Sequence, residues 1–274
     1  MSQVDSKTHY DFGKNWARFA EDVAERNAAE AVKGLSRLIG DNLEGKSFLD
    51  IGCGSGLHAV AALQLGAASV RAVDLDPNSV STARHLLTRF AAGEPWHVEE
   101  RSVFELSAAS GRYDVVYAWG VLHHTGRMRD AIRHAASLVE PGGLLVIAIY
   151  RKTPLCPAWR LEKKFYALGP RWYRPIADFC LAALTLAALA MTGRNPVAYV
   201  RQYPRARGMT FMTNIRDWLG GYPYESASPE EIRGIVAASG FREERFLPCN
   251  TRMGLLGVGC DEYVFRSQAT ADAR

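Results

Sequence analysis

The segment Phe48-Leu-Asp-Ile-Gly-Cys-Gly-Ser-Gly56 constrains this chain more than any other. An apolar run carrying the single acid Asp50 gives way to glycines at alternate positions, 52, 54 and 56. A strand leaving a sheet here must turn sharply, bring its backbone close to a ligand and enter a helix. Glycine allows this because, lacking a Cβ, it reaches positive φ at little cost. The start of the helix then offers free N–H groups to a carboxylate or phosphate. A second apolar run, Val70-Arg-Ala-Val-Asp74, also ends in an acid. An ionised carboxylate there can accept both hydrogen bonds of a ribose diol. The front of the chain is therefore expected to hold a nucleoside-bearing cofactor.

Two cofactor classes satisfy this much. Gly54-Ser-Gly56-Leu-His-Ala59 fits the loose dinucleotide fingerprint, which accepts alanine at its third position, so an NAD(P)-dependent oxidoreductase stays open. Asp50 argues for the other class. A dinucleotide site has no need of an acid inside the turn, whereas a carboxylate suits an α-ammonium group.

Apolar periodicity places strands at 47–51, 69–74, about 96–99, 113–119 and 144–150, with helices near 56–66, 77–91 and 127–139 between them. Pro77 stands where a first helical turn tolerates it. A helix near 228–239 and strands near 241–248 and 260–266 follow later. Alternating strands and helices imply an α/β fold, a Rossmann-like, doubly wound, mostly parallel seven-stranded sheet with its ligands outside the carboxyl ends of the strands. Gly52, Asp74, Ser102 and Trp119 fall at those ends. The expected division is an N-terminal helical cap (1–44), a cofactor-binding core (45–150), a helical insertion (151–222), completion of the sheet (223–268) and a tail (269–274).

Further along run Tyr113-Asp-Val-Val-Tyr-Ala-Trp-Gly-Val-Leu-His-His-Thr-Gly126 and Val139-Glu-Pro-Gly-Gly-Leu-Leu-Val-Ile-Ala-Ile149. Taken in order with Leu49–Gly56 and Asp74, they resemble the class I S-adenosylmethionine-dependent methyltransferases, in particular small-molecule methylases related to quinone methylases. The likeness covers residues 9–150 well and 222–266 more loosely. His9-Tyr-Asp-Phe-Gly-Lys-Asn-Trp16 and Gly221-Tyr-Pro-Tyr-Glu225 add a narrower likeness to a bacterial subgroup. The resemblance implies S-adenosyl-L-methionine as cofactor. It places Asp50 on the methionine ammonium, Gly52, Cys53 and Gly54 along the methionine and ribose, and Asp74 on the ribose hydroxyls. Leu75 would pack on adenine, Ser102 and Val103 would meet its edge, and the Trp119 backbone would close the methionine end. Tyr10 and Trp16 become lid candidates. At Ser102 the wider family commonly has an acid, so the likeness is weaker there.

His123 and His124 are the general-base candidates, since imidazole titrates near neutral pH. Tyr150 joins them at the end of the fifth strand, and Tyr222, Tyr224 and Glu225 lie close in sequence to the same edge. Each has a packing role as its alternative.

The net charge of +4 conceals an asymmetry. Between Arg151 and Thr210 there are eleven Lys/Arg and two acids, while the rest has 22 bases against 27 acids. The same insertion contains thirteen uncharged residues, Phe179–Met191, fewer than the roughly twenty of a membrane span. A buried or interfacial helix is expected. The insertion is then a lid over an aromatic or isoprenoid acceptor, a peripheral contact with an anionic membrane through 151–210, or a cap or homo-oligomer face with solvated arginines.

Five cysteines without a CxxC pair, and residues 1–20 without an apolar leader-like run, suit reduced thiols, a cytoplasmic setting and no metal centre. No base-flipping Asn-Pro-Pro-Tyr motif or added RNA-binding module is visible, so nucleic acid is not the expected partner. The function expected is methyl transfer to an oxygen or nitrogen of a small or lipid-linked acceptor. A non-catalytic S-adenosylmethionine-binding partner protein is the alternative outside enzymology.

Overall fold

The structure, a computed structural model, describes residues 25–207, 210–249 and 259–268. Seven strands form one sheet: β1 (Ser47–Ile51), β2 (Ser69–Asp74), β3 (Trp96–Glu100), β4 (Tyr113–Trp119), β5 (Val139–Tyr150), β6 (Phe241–Leu247) and β7 (Cys260–Ser267). Their order is β3-β2-β1-β4-β5-β7-β6, with the first five parallel and β7 antiparallel to both neighbours. The order reverses between β1 and β4, where crossovers leave in opposite directions and a crevice opens beyond the strand ends.

Strand alternation sorts the core. Leu49, Ile51, Val116, Ala118, Leu145 and Ile147 pack on one face against α4 (Met128–Ser137) and α9 (Pro229–Ala237). Phe48, Val70, Ala72, Val115, Tyr117 and Val146 pack on the other, under α1 (Glu25–Ile39), α2 (Leu57–Gln64) and α3 (Pro77–Phe90). Parallel strands covered on both faces read as continuous apolar runs, which is why they were legible in the sequence.

The fifth strand begins earlier than expected, at Val139 rather than 144. Its pairing with β4 jumps from Tyr113↔Val139 to Val115↔Leu144, so Glu140–Gly143 bulge without ending the strand. Pro-Gly-Gly reads locally as a turn; a bulge accommodates the same residues inside a strand. A Cβ on Gly143 would stand 2.7 Å from the Asp114 carbonyl oxygen, so no larger residue fits.

Residues 151–222 hold four helices, α5 (Cys156–Leu168), α6 (Tyr173–Met191), α7 (Pro196–Arg207) and α8 (Phe211–Gly220). They share a core of their own built from Tyr166, Tyr203, Phe211, Ile215, Trp218 and Leu219, into which Tyr150 and Tyr224 also pack. Asp178 fastens α6 to it, accepting from the Tyr166 hydroxyl (2.7 Å) and the Arg216 Nε (3.0 Å). The buried option for α6 fails. This 19-residue helix has a mean hydropathy of 1.5, enough by length and composition alone to cross a membrane, yet only 11% of its apolar window is buried. Phe179, Leu184 and Met191 are exposed.

Candidate functional site

The turn after β1 is held by backbone bonds and by one side chain, Asp74. Gly52 N–H and Cys53 N–H both donate to the Val73 carbonyl, at 2.8 and 3.1 Å. Gly52, Gly54 and Gly56 have φ of 70°, 53° and 80°, the left-handed region that side chains avoid. Space forbids side chains as well: a Cβ on Gly52 would overlap Val121, and one on Gly56 would stand 2.8 Å from the Ala83 Cβ. β1, β4 and α3 thus meet at this turn.

Two carboxylates flank it. Asp74 accepts the Gly54 N–H through Oδ2 and the Asp76 N–H through Oδ1, each at 2.9 Å. Each oxygen keeps a second lone pair for a ligand hydroxyl. Asp50 is buried, and its Oδ2 has no hydrogen-bond partner among the described residues. Burial, reinforced by the nearby Asp74 charge, pushes its carboxyl up to about 7 against the pull of the Ala59 backbone. A cation arriving beside it would restore the ionised form.

Leu75 and Trp119 leave apolar surface exposed at the ends of β2 and β4. Trp119 is steadied by its Nε1–H, which donates to Glu262 Oε1 at 2.8 Å. Ser102 lies at the end of β3 as expected, but its side chain is already engaged. Its hydroxyl accepts the Phe104 N–H (3.3 Å) and its own N–H donates to Glu105 Oε2 (3.0 Å), closing a capping box over the turn Val103–Glu105. Its backbone N–H and carbonyl are both bonded to Glu105, so the hydroxyl hydrogen is the polar group that Ser102 could still offer beside the buried Val103. The Cys53 thiol is buried, which pushes its pKa up and leaves a space-filling role.

The two histidines part company. His123 is fully buried in the short turn Leu122–His124, and burial, with His124 and Lys163 adding to it, holds its imidazole well below the usual histidine range. It is a neutral ring tilted against Tyr150, with centroids 4.0 Å apart, not a solvent-linked base. His124 is half-buried, and its Nδ1 lies 2.8 Å from the Pro223 carbonyl oxygen. A carbonyl can only accept, so Nδ1 carries a proton. Tyr150 packs among His123, Trp218 and Tyr224, and burial raises its phenol well above the ordinary range, so it is no base at neutral pH. Glu225 accepts the Met128 N–H (2.8 Å) and caps α4. Tyr10 and Trp16 lie outside the described residues.

Other residues arrive here unannounced by the sequence. His58 of α2 packs against the Tyr117 and Trp119 rings, and burial lowers it to about 4. Lys163 of α5 is fully buried, donates to the Trp218 carbonyl oxygen and lies 3.7 Å from the Trp218 ring centroid. In a basic run a lysine reads as solvated surface, so only tertiary packing could reveal it.

A methyltransferase-domain family matches residues 19–182, over half of the chain. A ubiquinone biosynthesis O-methyltransferase of Methylocella silvestris is 34% identical over 163 residues, 55% of this chain and 62% of that protein. A tRNA U34 carboxymethyltransferase of Methylococcus capsulatus is 35% identical over 106 residues, 38% of this chain and 32% of that protein. The chain thus spans less than two thirds of the length of either relative, and the shared part belongs to proteins named for different acceptors. Among solved structures, magnesium protoporphyrin IX methyltransferase from Synechocystis, with bound S-adenosylhomocysteine, superposes with a TM-score of 0.56 at 19% identity over 93% of this chain and 94% of that one. That likeness extends the shared fold through nearly the whole molecule. With the glycine turn, the sheet order and the family match in agreement, the chain belongs to the methyltransferase-domain family, class I in fold.

Proposed function

We propose that the protein is an S-adenosylmethionine-dependent methyltransferase acting on an oxygen, or a nitrogen, of a small-molecule acceptor. The observation that carries this is the buried Asp50 carboxylate, with one oxygen unpartnered, inside the glycine turn of a methyltransferase-family chain. The surrounding groups fit such a cofactor: Asp50 for the ammonium, Asp74 for the ribose diol, and Leu75 and Val103 as apolar surface for adenine. When bound, S-adenosylmethionine supplies an electrophilic methyl group, so the chain binds, orients and excludes water. His124 is the group that would take an acceptor proton, through Nε2.

The acceptor we infer is quinone-like or otherwise aromatic. The names of the relatives and the rings of Tyr150, Trp218 and Tyr224 beside His124 support this reading. A cytoplasmic protein in peripheral contact with an anionic membrane suits the insertion, where Trp172, Ile176, Phe179, Leu184 and Met191 are exposed within a segment rich in Arg and Lys.

Calorimetric titration with S-adenosylhomocysteine, with NADH as control, tests the cofactor. Binding of NADH alone would return the chain to the oxidoreductase reading. Cofactor binding without methylation of any quinol or phenol would favour the partner-protein alternative. Co-sedimentation with phosphatidylglycerol vesicles tests the membrane contact. Phe179→Asp should abolish it, and self-association of the lipid-free protein in light scattering would assign that face to a second copy.

A further inference from the structure

Residues from both parts of the molecule meet beyond the ends of β4 and β5. His124 and Tyr150 come from the ends of β4 and β5; Lys163, Trp218 and Gly221 come from the insertion. They converge: a Cβ on Gly221 would stand 2.9 Å from His124 Cε1 and 3.5 Å from Lys163 Nζ, so a larger residue there would have to push the imidazole aside. The Lys163 ammonium lies 3.7 Å from the Trp218 ring centroid and 5.4 Å from that of Tyr224.

Polar satisfaction is incomplete here. An ammonium has three donors, and the one hydrogen bond Lys163 makes among the described residues goes to the Trp218 carbonyl. Among the described residues Trp218 Nε1 is buried without a partner. Buried polar groups are normally paired, so an unpaired indole N–H beside a lysine with one hydrogen bond calls for an explanation. Burial also pushes the Lys163 amine well below the ordinary lysine range, opposed by Glu162, which means an anion beside it would be strongly favoured.

We propose that Lys163 is an acceptor-binding residue, and that the acceptor is a phenol or enol whose reacting oxygen is held as an anion by the Lys163 ammonium and the Trp218 Nε1–H. The proposal rests on the methyltransferase reading and specifies its acceptor. His124 Nε2 takes the acceptor O–H proton, leaving the charge on oxygen opposite Lys163. The oxygen's electron pair forms the O–CH3 bond while the C–S bond breaks onto sulfur, giving a methyl ether, a neutral thioether and protonated His124. The rings of Tyr150 and Tyr224 hold the acceptor plane.

The test uses 4-nitrocatechol, whose absorbance reports its ionisation, titrated into the full chain saturated with S-adenosylhomocysteine. The bound probe should show the phenolate band at a pH where the free probe is mainly neutral. Lys163→Met should keep S-adenosylhomocysteine binding and lose the band with at least about tenfold in probe affinity, the scale of one charge-assisted hydrogen bond. Lys163→Arg should retain the band. Should Lys163→Met not fold, the wild-type spectrum and Trp218→Phe decide, since that variant keeps the packing and removes one donor. A neutral-phenol spectrum, unchanged probe binding in Lys163→Met, or no probe binding with S-adenosylhomocysteine bound overturns the proposal alone. Absence of S-adenosylhomocysteine binding removes the cofactor reading beneath it as well.

Discussion

Phe48 and Phe179 are the same residue in two regions built on different terms. Phe48, in β1, is fully buried between Tyr117 and the helices on its face. Phe179, in α6, is 72% exposed although its neighbours in sequence are as apolar as those of Phe48. Within the sheet each apolar run meets a partner on both faces. In the insertion, α6 carries apolar residues all round, while the core it shares with α5, α7 and α8 covers only the side fastened by Asp178. Apolar sequence means burial only where the fold supplies a second surface. The excess on α6 is apolar surface left open to solvent.

The largest effect that could break this contrast is on stability. Phe48→Ala should lower the unfolding free energy by about 3–5 kcal/mol, the range for deleting a buried ring. A denaturant midpoint that stays in place would show that the sheet core tolerates the cavity. Next is the cofactor side of the core. Asp74→Ala should weaken S-adenosylhomocysteine by about 1.5–3 kcal/mol, the worth of charge-assisted hydrogen bonds. Unchanged calorimetric affinity would place the ribose elsewhere.

A smaller effect follows from Asp50, whose carboxyl is raised from 3.8 to about 7 in the fold. The stability this group contributes is complete below its unfolded value and is lost as pH rises through about 7, so it favours the folded state less at pH 8 than at pH 5. Cofactor affinity has the opposite slope, because the ammonium needs the ionised carboxylate. Between pH 6 and 8 it should strengthen about tenfold in the wild type and stay flat in Asp50→Asn. Equal slopes in the two proteins would remove Asp50 from the ammonium. The smallest effect belongs to Phe179→Ala, which should move stability by less than about 0.5 kcal/mol. A loss as large as that of Phe48→Ala would mean α6 is covered in solution.

Much of the fold was legible because it is written in local pattern. Val115–Ala118 and Leu144–Ile149 run apolar for as long as a strand does, and the alternate glycines announce the turn they make. The bulge in β5 was not legible, since Pro141-Gly142-Gly143 signals a turn whether or not pairing resumes beyond it. Asp50 and Asp74 could be picked out as acids at strand ends. Ser102 could not be separated from its capping box, and His123 could not be told from His124, because adjacent residues in one turn differ only in what packs around them.

Sequence by itself determined the layered sheet, the glycine turn and the two acids beside it, because these depend on backbone permission and on runs of like residues. Only the tertiary structure decided that His123 is buried while the adjacent His124 bonds the Pro223 carbonyl, that Lys163 from a basic stretch is buried against Trp218, and that α6 turns apolar side chains outward. The physical reason is range. Strand, turn and helix signals act over a few residues, whereas burial, charge state and exposure are set by groups that the fold brings together from as far apart as Tyr150 and Trp218.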